Sequence, residues 1–383
     1  MSELRVAIFT GNYNHIRDGV SLTLNRLVGF LEEKGVPVIV FGPTVDEPAF
    51  EHNGELVSVP SMRMPVSGRS EYRVTTGFPK QAQQRLHEFD PTLVHLATPD
   101  VLGFRAMRWA QKRNIQIVSS YHTHFTSYLE YYNLDMLKQL GWKYLVWFYS
   151  QCKHVYVPSP SMAEELNKQG INEGIRIWAR GVYTDRFNPD KRDMEWRRSI
   201  GYKDDDKVVT FVSRLVWEKE LQTFVDAVKK LGDAIRPMIV GDGPARKELE
   251  HMLPEAHFTG FITGHELYRA YASSDIFFFP SASETFGNVT LEAMSSGLPC
   301  VVADATGSRS LVESGINGYL APPRDTEEFA RCIKKIVMDE NLREKMAKAA
   351  RQKALSYSWE NVNQKLLDNY HEVLEEPKPT FKF

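Results

Sequence analysis

Two carboxylates, separated by seven residues, lie in a stretch whose composition suits the binding of a phosphorylated sugar. The stretch reads SASETFGNVTLEAMSSGLP from 281 to 299 and contains Glu284 and Glu292. A carboxylate accepts hydrogen bonds from paired sugar hydroxyls, so each Glu could bind a hydroxyl-rich group on one side of a phosphate. In the alternative interpretation, Glu284 caps a helix and Glu292 is a solvated surface residue.

The elements around these carboxylates are predicted to be a strand, a loop and the N-terminus of a helix. The apolar run 276–279 is typical of a buried strand, residues 286–288 can form a tight turn, and 289–295 has helix character. The free N–H groups and the dipole of a helix N-terminus favour anions. We therefore expect a phosphate to bind between the two carboxylates.

Two cations follow another predicted strand, 208–212, within one exit loop. They are Arg214 and Lys219. A desolvated diphosphate needs charge partners, and an arginine fork with a lysine point charge supplies them. The alternative is a solvated surface pair. Gly241 opens a glycine-rich turn, Gly-Asp-Gly-Pro, directly after the next strand, 238–240.

The N-terminal half begins with a strand–helix–strand pattern that predicts a parallel sheet. The pattern comprises a strand at 6–10, a loop at 12–19, a helix at 21–34 and a strand at 38–41. The loop lies at the carboxyl end of a strand, where open α/β sheets bind ligands. Gly19 in this loop could let the backbone approach a phosphate, or it could simply serve the turn.

A histidine pair follows the predicted strand 115–120 directly. His122 and His124 come without a third ligand at metal-binding spacing, so we expect no metal site there. One functional histidine projecting from the strand end is the favoured interpretation. His122 is the first candidate and His124 the second, and a polar loop histidine is the alternative.

The remaining pattern of the C-terminal half predicts a linker, a last strand and a closing helix. The stretch 180–189 breaks the periodicity and is interpreted as a linker. The run 300–303 is predicted to be the last buried strand, with a turn at 315–318 after it. An amphipathic helix is predicted at 359–374.

Length and composition indicate a two-domain protein without nucleic-acid affinity. The chain has 383 residues, 42% of them apolar and 25% charged, and a formal charge of −2. Three distant cysteines, Cys152, Cys300 and Cys332, suit reduced thiols and exclude a disulfide framework. The opening strand is unlike a signal peptide, and no apolar run is long enough to span a bilayer. We therefore expect a cytoplasmic protein, either soluble or peripheral to the membrane.

The segment 125–149 is rich in aromatic residues and lies in a basic part of the chain. It holds nine aromatic residues, and 61–150 contains eleven Lys and Arg against six Asp and Glu. This combination suits contact with the inner face of an anionic membrane or with an amphiphilic acceptor. Packing in the core is the alternative explanation for the aromatic residues.

Taken in order, the cation pair, the glycine turn and the Glu-x7-Glu block resemble the retaining GT-B glycosyltransferases of family four. The resemblance spans essentially the whole chain, and the Glu-x7-Glu block with Arg214 and Lys219 is its specific part. The SYHTH and VPSPSMAEEL segments look most like the lipid-directed members. These are the sulfoquinovosyl-diacylglycerol synthases and the mannosyl- and glucuronosyl-diacylglycerol or phosphoinositol transferases.

The resemblance implies an α/β GT-B fold with two Rossmann-like domains that face a central cleft. Residues 1–185 would form an acceptor-binding domain and 186–357 a nucleotide-sugar-binding domain. Residues 358–383 would form a helix and tail that cross back to the N-terminal domain.

The family pattern also implies roles for individual residues. His122 and Glu284 would lie at the transferred sugar, and Glu292 would bind the ribose. The diphosphate and sugar would further contact these residues: Gly19, Arg214, Lys219, Gly241, Phe286, Gly287, Asn288 and Val289. No metal or other cofactor would be needed, because the nucleotide-diphosphate sugar is a co-substrate.

The implied activity is hexosyl transfer from GDP-mannose or a UDP-sugar to a lipid such as diacylglycerol or a glycolipid. The same transfer to a soluble or polyprenyl-linked glycan is one alternative, and an epimerase or a non-catalytic sugar-binding relative is another. Three positions depart from the family pattern. Glu220 replaces a glycine, which predicts a looser loop, Tyr183 replaces an aspartate, and Asp18-Gly19 replaces two glycines.

Overall fold

The computed structural model describes residues 3–63, 73–121, 135–171, 173–284 and 286–377. The chain divides into two compact units. The first contains residues 1–178 and 362–383, and the second contains 179–361. Within the described residues, no helix combines the length and the apolar character that crossing a membrane requires.

In the first unit, seven described strands form a parallel sheet in the order β3-β2-β1-β6-β7-β8-β9. The central strands are buried along their whole length, as expected for a parallel sheet covered on both faces. A two-stranded antiparallel hairpin, β4-β5, stands apart. The strands are β1 Val6–Phe9, β2 Val38–Gly42, β3 Glu55–Ser58, β4 Ser61–Arg63, β5 Arg73–Thr75, β6 Leu93–Leu96, β7 Gln116–Ser120, β8 His154–Val157 and β9 Ile175–Ile177.

The helices of the first unit connect successive strands of this sheet and cover it. Four of them, which contain Leu86, Met107, Phe148 and Leu166, share one buried apolar cluster with the strands. The helices are α1 Gly19–Glu33, α2 Lys80–Phe89, α3 Val101–Gln111, α4 Asp135–Ser150 and α5 Pro160–Lys168. The last described helix, α14 Trp359–Glu375, also belongs to the first unit from Val362 onward.

A buried polar network attaches α14 to the first sheet. The imidazole Nδ1 of His95 lies 2.5 Å from the hydroxyl of Tyr370, and its Nε2 lies 3.0 Å from the hydroxyl of Ser120. Burial lowers the pKa of His95 to about 3, so the ring is neutral. The amide of Gln116 adds hydrogen bonds to the Val373, Glu376 and Pro377 carbonyls. The C-terminal segment is therefore part of the core of this unit.

The second unit contains a six-stranded parallel sheet in the order β12-β11-β10-β13-β14-β15. Its strands are β10 Val208–Val212, β11 Arg236–Val240, β12 His257–Gly260, β13 Ile276–Phe279, β14 Cys300–Ala303 and β15 Gly318–Ala321. Its helices are α6 Met194–Ser199, α7 Leu221–Leu231, α8 Arg246–Met252, α9 Gly264–Ala272, α10 Asn288–Ser295, α11 Thr306–Arg309, α12 Thr326–Met338 and α13 Glu340–Leu355.

One prediction about this half is wrong. The run 300–303 is not the last strand, because β15 follows and pairs with it. Only two of the four residues of β15 are fully buried, so its sequence carries a weak strand signal. The stretch 180–189, predicted to be a linker, begins just after the division between the units and contains no helix or strand before the short turn at Pro189–Lys191. The Val182 amide donates to the Tyr357 carbonyl at 2.8 Å, and Gly181 packs closely on Trp359.

Candidate functional site

The second sheet has a topological switch point between β10 and β13. After β10 the chain adds β11 and β12 on one side, and it then returns to place β13 on the other side of β10. Exit loops on the two sides of such a point run in opposite directions and leave a crevice at the carboxyl edge of the sheet. The predicted cation loop follows β10, and the Glu284 loop follows β13, so both predicted groups border this crevice.

An ion pair joins these two loops. The Lys219 ammonium lies 2.5 Å from Oε1 of Glu284 and 3.4 Å from the Ser283 hydroxyl. Both charged side chains are about one-fifth exposed. The pair spans 65 residues of sequence, and it brings together two predicted site residues that the sequence could place only at the same sheet edge.

Arg214, the other predicted cation, lies in the same loop and is exposed. Among the described residues, its guanidinium has no hydrogen-bond or ion-pair partner. A fork of five N–H donors at a switch-point crevice is suited to an oxyanion.

Glu220 shows how the cation loop keeps its shape without the glycine of the family pattern. Residues 217–219 form a single 3₁₀ turn, after which Glu220 has φ 55°, in the left-handed region that favours glycine. Both carboxylate oxygens accept from Arg324, at 2.9 to 3.2 Å. The prediction of a looser loop is therefore wrong, because the glutamate adopts the conformation that glycine would take.

Gly241 is required by the packing of the two exit loops. It has φ 132°, and a Cβ at this position would lie 1.9 Å from the Ser213 carbonyl oxygen. Its N–H donates to the Gly260 carbonyl at 2.9 Å. In this structure the Gly241 amide is therefore already paired, and the residue shapes the site through its lack of a side chain.

The loop before α10 brings its backbone to the same edge. Gly287, with φ 94°, precedes the helix, and no side chain caps this N-terminus in the described part of the chain. The Phe286 ring is 4% exposed and lies 6.0 Å from the ring of Tyr357. Only the backbone of Phe286 can therefore contact a ligand, whereas Asn288 at the helix start is exposed and Val289 half-buried.

Glu292 has a partner that sequence reasoning missed. The hydroxyl of Tyr271, on α9, donates to Oε2 of Glu292 at 3.0 Å and lies 3.3 Å from the Val289 carbonyl oxygen. Burial and the Glu292 charge raise the pKa of Tyr271 well above its ordinary value, so the hydroxyl remains a donor. No sequence pattern signals this contact, because it depends on how two helices pack.

Gly19 lies in the first unit at the start of α1, not in the loop before it. The Asp18 side chain caps the helix and accepts from the Ser21 amide at 2.8 Å. Gly19 is exposed, and a Cβ there would meet no atom within 4 Å. The fold of the first unit therefore does not itself require glycine at this position.

A cavity of about 690 Å³ opens beside the exit loop of β2 in the first unit. Its charged lining residues are Asp46, Glu47, Arg63 and Arg73, with His15 beside them. No ion pair joins these acids and arginines within the described residues. Burial and the Arg73 charge lower the pKa of His15, which keeps its imidazole neutral. The unpaired charges suit a ligand that carries both hydroxyl and oxyanion groups.

His122 and His124 lie outside the described residues, as does the aromatic segment up to residue 134. The rest of that segment, α4, has two kinds of aromatic residue. Phe148 and Tyr149 are buried in the core of the first unit. Outward-facing side chains of α3 and α4 instead form an exposed apolar patch, named here the α3–α4 patch, that comprises Val101, Phe104, Leu140, Tyr144 and Trp147.

The comparisons with known proteins identify the class that this fold and site define. The model of Glycosyltransferase Family 4 matches residues 17–186, and the model of Glycosyl transferases group 1 matches 193–353. The sucrose-phosphate synthase of Thermosynechococcus elongatus has a similar structure, with a TM-score of 0.77 over 97% of this chain and all of that chain at 19% identity. The fold is therefore GT-B.

Relatives of known activity are similar over most of their length. A GDP-mannose-dependent alpha-mannosyltransferase of Corynebacterium glutamicum is 32% identical over 97% of this chain and 89% of its own. An alpha-monoglucosyldiacylglycerol synthase of Streptococcus pneumoniae is 26% identical over 83% of this chain and 75% of its own. The chain belongs to the family 4 (group 1) GT-B glycosyltransferases, which confirms the resemblance seen in the sequence.

Proposed function

We propose that this glycosyltransferase transfers a hexosyl group, with retention, from a nucleotide-diphosphate sugar to a lipid acceptor at a membrane surface. The Lys219–Glu284 pair carries the proposal, because it holds a cation and a carboxylate together at the switch point of the second sheet. A diphosphate joined to a sugar presents oxyanions beside hydroxyls, which are the groups that this pair can bind.

The proposed donor site assigns one part of the ligand to each group. Arg214 and Lys219 neutralise the diphosphate, and the backbone at Gly287, Asn288 and Val289 donates to phosphate and sugar. Glu284 accepts hydrogen bonds from the sugar hydroxyls, and Glu292 accepts them from the ribose. Phe286 contributes a backbone contact, and Gly241 gives the loop its shape. Gly19 allows the backbone to approach the diphosphate closely.

The proposed chemistry relies on stabilising the leaving group. Bond cleavage places negative charge on the nucleoside diphosphate, where Arg214, Lys219 and the amides at the start of α10 would stabilise it. The acceptor hydroxyl attacks from the same face and gives its proton to the leaving phosphate. His122 is assigned to the reaction centre beside the transferred sugar, and the transfer requires no metal or other cofactor.

A lipid acceptor is supported by the first unit and by one relative. The pneumococcal relative is an alpha-monoglucosyldiacylglycerol synthase, whose product is a glycolipid. The α3–α4 patch exposes three aromatic rings, and the basic side chains Arg105 and Lys143 are exposed on the same two helices. Apolar and basic groups together favour an anionic membrane surface, and the site of action would be its cytoplasmic face.

GDP-mannose is the first donor to test because the corynebacterial relative uses it, and UDP-sugars come second. We would measure the thermal shift of the full chain with GDP, UDP, ADP and their sugars, since a ligand that binds the folded state raises Tm. A shift with one nucleotide family supports the donor site. No shift with any of them contradicts it and favours a non-catalytic relative.

Transfer is then assayed with the selected donor, with and without EDTA, on diacylglycerol, a glycolipid and a polyprenyl-linked glycan. We expect a product on lipid that EDTA does not abolish. Product only on the glycan replaces the lipid proposal, and an epimerised sugar formed without acceptor replaces transfer altogether. Loss of activity in EDTA that manganese restores contradicts the metal-free chemistry.

A further inference from the structure

The amino edge of the first sheet carries a second group of side chains with ligand chemistry. The group joins His154, the first residue of β8, to Glu372 and Glu376 near the end of α14. One ligand atom from each residue lies within 4.8 Å of the other two. We propose that these three side chains bind a divalent transition-metal ion, of which zinc fits best.

The group can contract to a three-ligand zinc site through its glutamate side chains. Zinc binds nitrogen and oxygen at about 2.0–2.2 Å in tetrahedral geometry, so two ligand atoms on one ion lie about 3.4 Å apart. Separations of up to 4.8 Å therefore need to shorten by up to about 1.4 Å, which rotation of one exposed and one half-buried glutamate side chain allows. Glu372 lies in the last turn of α14 and Glu376 directly follows the helix, and both carboxylates approach His154 at the start of β8.

The burial of His154 and the contacts of its two ring nitrogens suit a metal ligand. It is 1% exposed, and its Nδ1 lies 3.3 Å from the Tyr156 hydroxyl. Its Nε2 faces Oε1 of Glu376 at 4.0 Å and has no hydrogen bond to any described residue. A ring whose Nδ1 is bonded to a neighbour presents the lone pair of Nε2 to a metal.

A buried hydrogen-bond acceptor beside the group also supports a metal site. Gln116 is 3% exposed, and its Oε1 has no hydrogen-bond partner among the described residues. Its Nε2 bonds the carbonyls at the end of α14, which fixes the amide next to this helix end. Gln116, His154 and Glu376 line one cavity of about 610 Å³, which has room for the waters of a three-ligand ion. An ordered metal-bound water could donate to this oxygen.

Two cations would have to give up their present partners. Arg176 lies 3.3 Å from Glu372, and Lys153 is paired with Glu376. Arg176 and Lys153 are each 41% exposed, and pairs this exposed contribute little to stability. A divalent ion bound by three ligands can therefore displace them into solvent. The ion would attach the end of α14 to β8 and stabilise the first unit.

The test uses the untagged full-length chain, stripped with chelator, dialysed and titrated with zinc by calorimetry. We expect one saturable site, at least about 100-fold weaker in Glu372→Gln and in Glu376→Gln, because each loses a charged ligand. Glu375→Gln is the matched control, since Glu375 is exposed on the same helix and is not in the group. Magnesium should not compete, because it disfavours imidazole.

Arg176→Gln separates a metal site from a simple ion-pair network. Removing the competing cation should tighten zinc binding and enlarge the rise in Tm that zinc causes. The metal-free Tm and circular dichroism of each variant establish that it folds. The proposal is overturned if the wild-type chain takes up no zinc, or if Glu372→Gln and Glu376→Gln both bind it as the wild type does.

Discussion

The ammonium of Lys219 and the carboxylate of Glu284 lie 2.5 Å apart across the switch point of the second sheet. In the proposed donor site, a diphosphate would add an acceptor for Lys219, and sugar hydroxyls would add donors for Glu284. The ion pair would keep both charges oriented before the donor binds, so that less reorganisation is required when charge develops on the leaving group.

Lys219→Ala and Arg214→Ala are each expected to lower kcat/KM for the donor by about 100-fold or more. Each removes a charge that the transition state needs, and a single oriented donor is worth about 10²–10³ in rate. Lys230→Ala is the matched control, because Lys230 forms an ion pair of the same length with Glu327 on the surface of the same unit. Near-normal turnover in both site variants would refute the assignment.

Substitutions at Glu220 are expected to separate backbone strain from the Arg324 contact. Glu220→Ala keeps the left-handed backbone and loses the exposed ion pair, so Tm should fall slightly. Glu220→Gly loses the same pair but relieves the strain, and it should match or exceed the wild type. Differential scanning fluorimetry compares the two. Equal losses of Tm in both variants would mean that the left-handed backbone at Glu220 does not reduce stability.

Gly241→Ala and Gly19→Ala are expected to have different effects on Tm and on turnover. At Gly241 the new Cβ would overlap the Ser213 carbonyl, so we expect a clear drop in Tm together with loss of donor binding. At Gly19 the Cβ has space and alanine favours a helix, so Tm should hold or rise. If Gly19 approaches the diphosphate, turnover by Gly19→Ala nevertheless falls about tenfold or more. Unchanged turnover would remove Gly19 from the site.

Tyr271→Phe is expected to raise KM for the donor by roughly tenfold with a smaller effect on kcat. The hydroxyl bonds a carboxylate, and such bonds contribute about 1.5–3 kcal/mol. Tyr202→Phe is the control, since the Tyr202 hydroxyl bonds the Pro237 carbonyl in the core of the same unit. That variant should lose stability and keep its KM. A KM shift of equal size in both would make Tyr271 merely structural.

Trp147→Ser and Phe104→Ser are expected to weaken binding to anionic vesicles by about tenfold each. Each removes an aromatic side chain of the α3–α4 patch, and burial of such a group contributes about 1.5–3 kcal/mol. Met338→Ser, which alters a side chain 73% exposed in the second unit, should bind vesicles as the wild type does. Salt should release all of the proteins. If the wild-type protein binds no vesicles, a glycan acceptor is favoured over a lipid.

The sequence predicted the sheet-edge location of the second-unit site but not its contacts. Strand runs such as 208–212 and 276–279 are apolar and bounded by turn residues, so their positions agree with the structure. The Lys219–Glu284 contact depends on strand order, which no local pattern encodes. The Tyr271–Glu292 bond depends in the same way on how two helices pack.

The errors have local physical causes. The sequence pattern favours a loop through Gly19, yet Asp18 caps the helix there and makes Gly19 its first residue. Glu220 was expected to loosen its turn, and the bonds to Arg324 offset the cost of the left-handed backbone. The strand β15 was missed because a half-buried edge strand has no strong apolar signal.

The return of the chain to the first unit also has a consequence for biosynthesis. The His95–Tyr370 network and the Gln116 bonds to the carbonyl groups near residue 373 need a segment that leaves the ribosome after the whole second unit. At about 5–20 residues per second, the second unit alone takes roughly 10–40 s to synthesise. During that interval His95 and Gln116 lack the partners that α14 and the residues after it supply, so the first unit completes its core only after the second unit has been made.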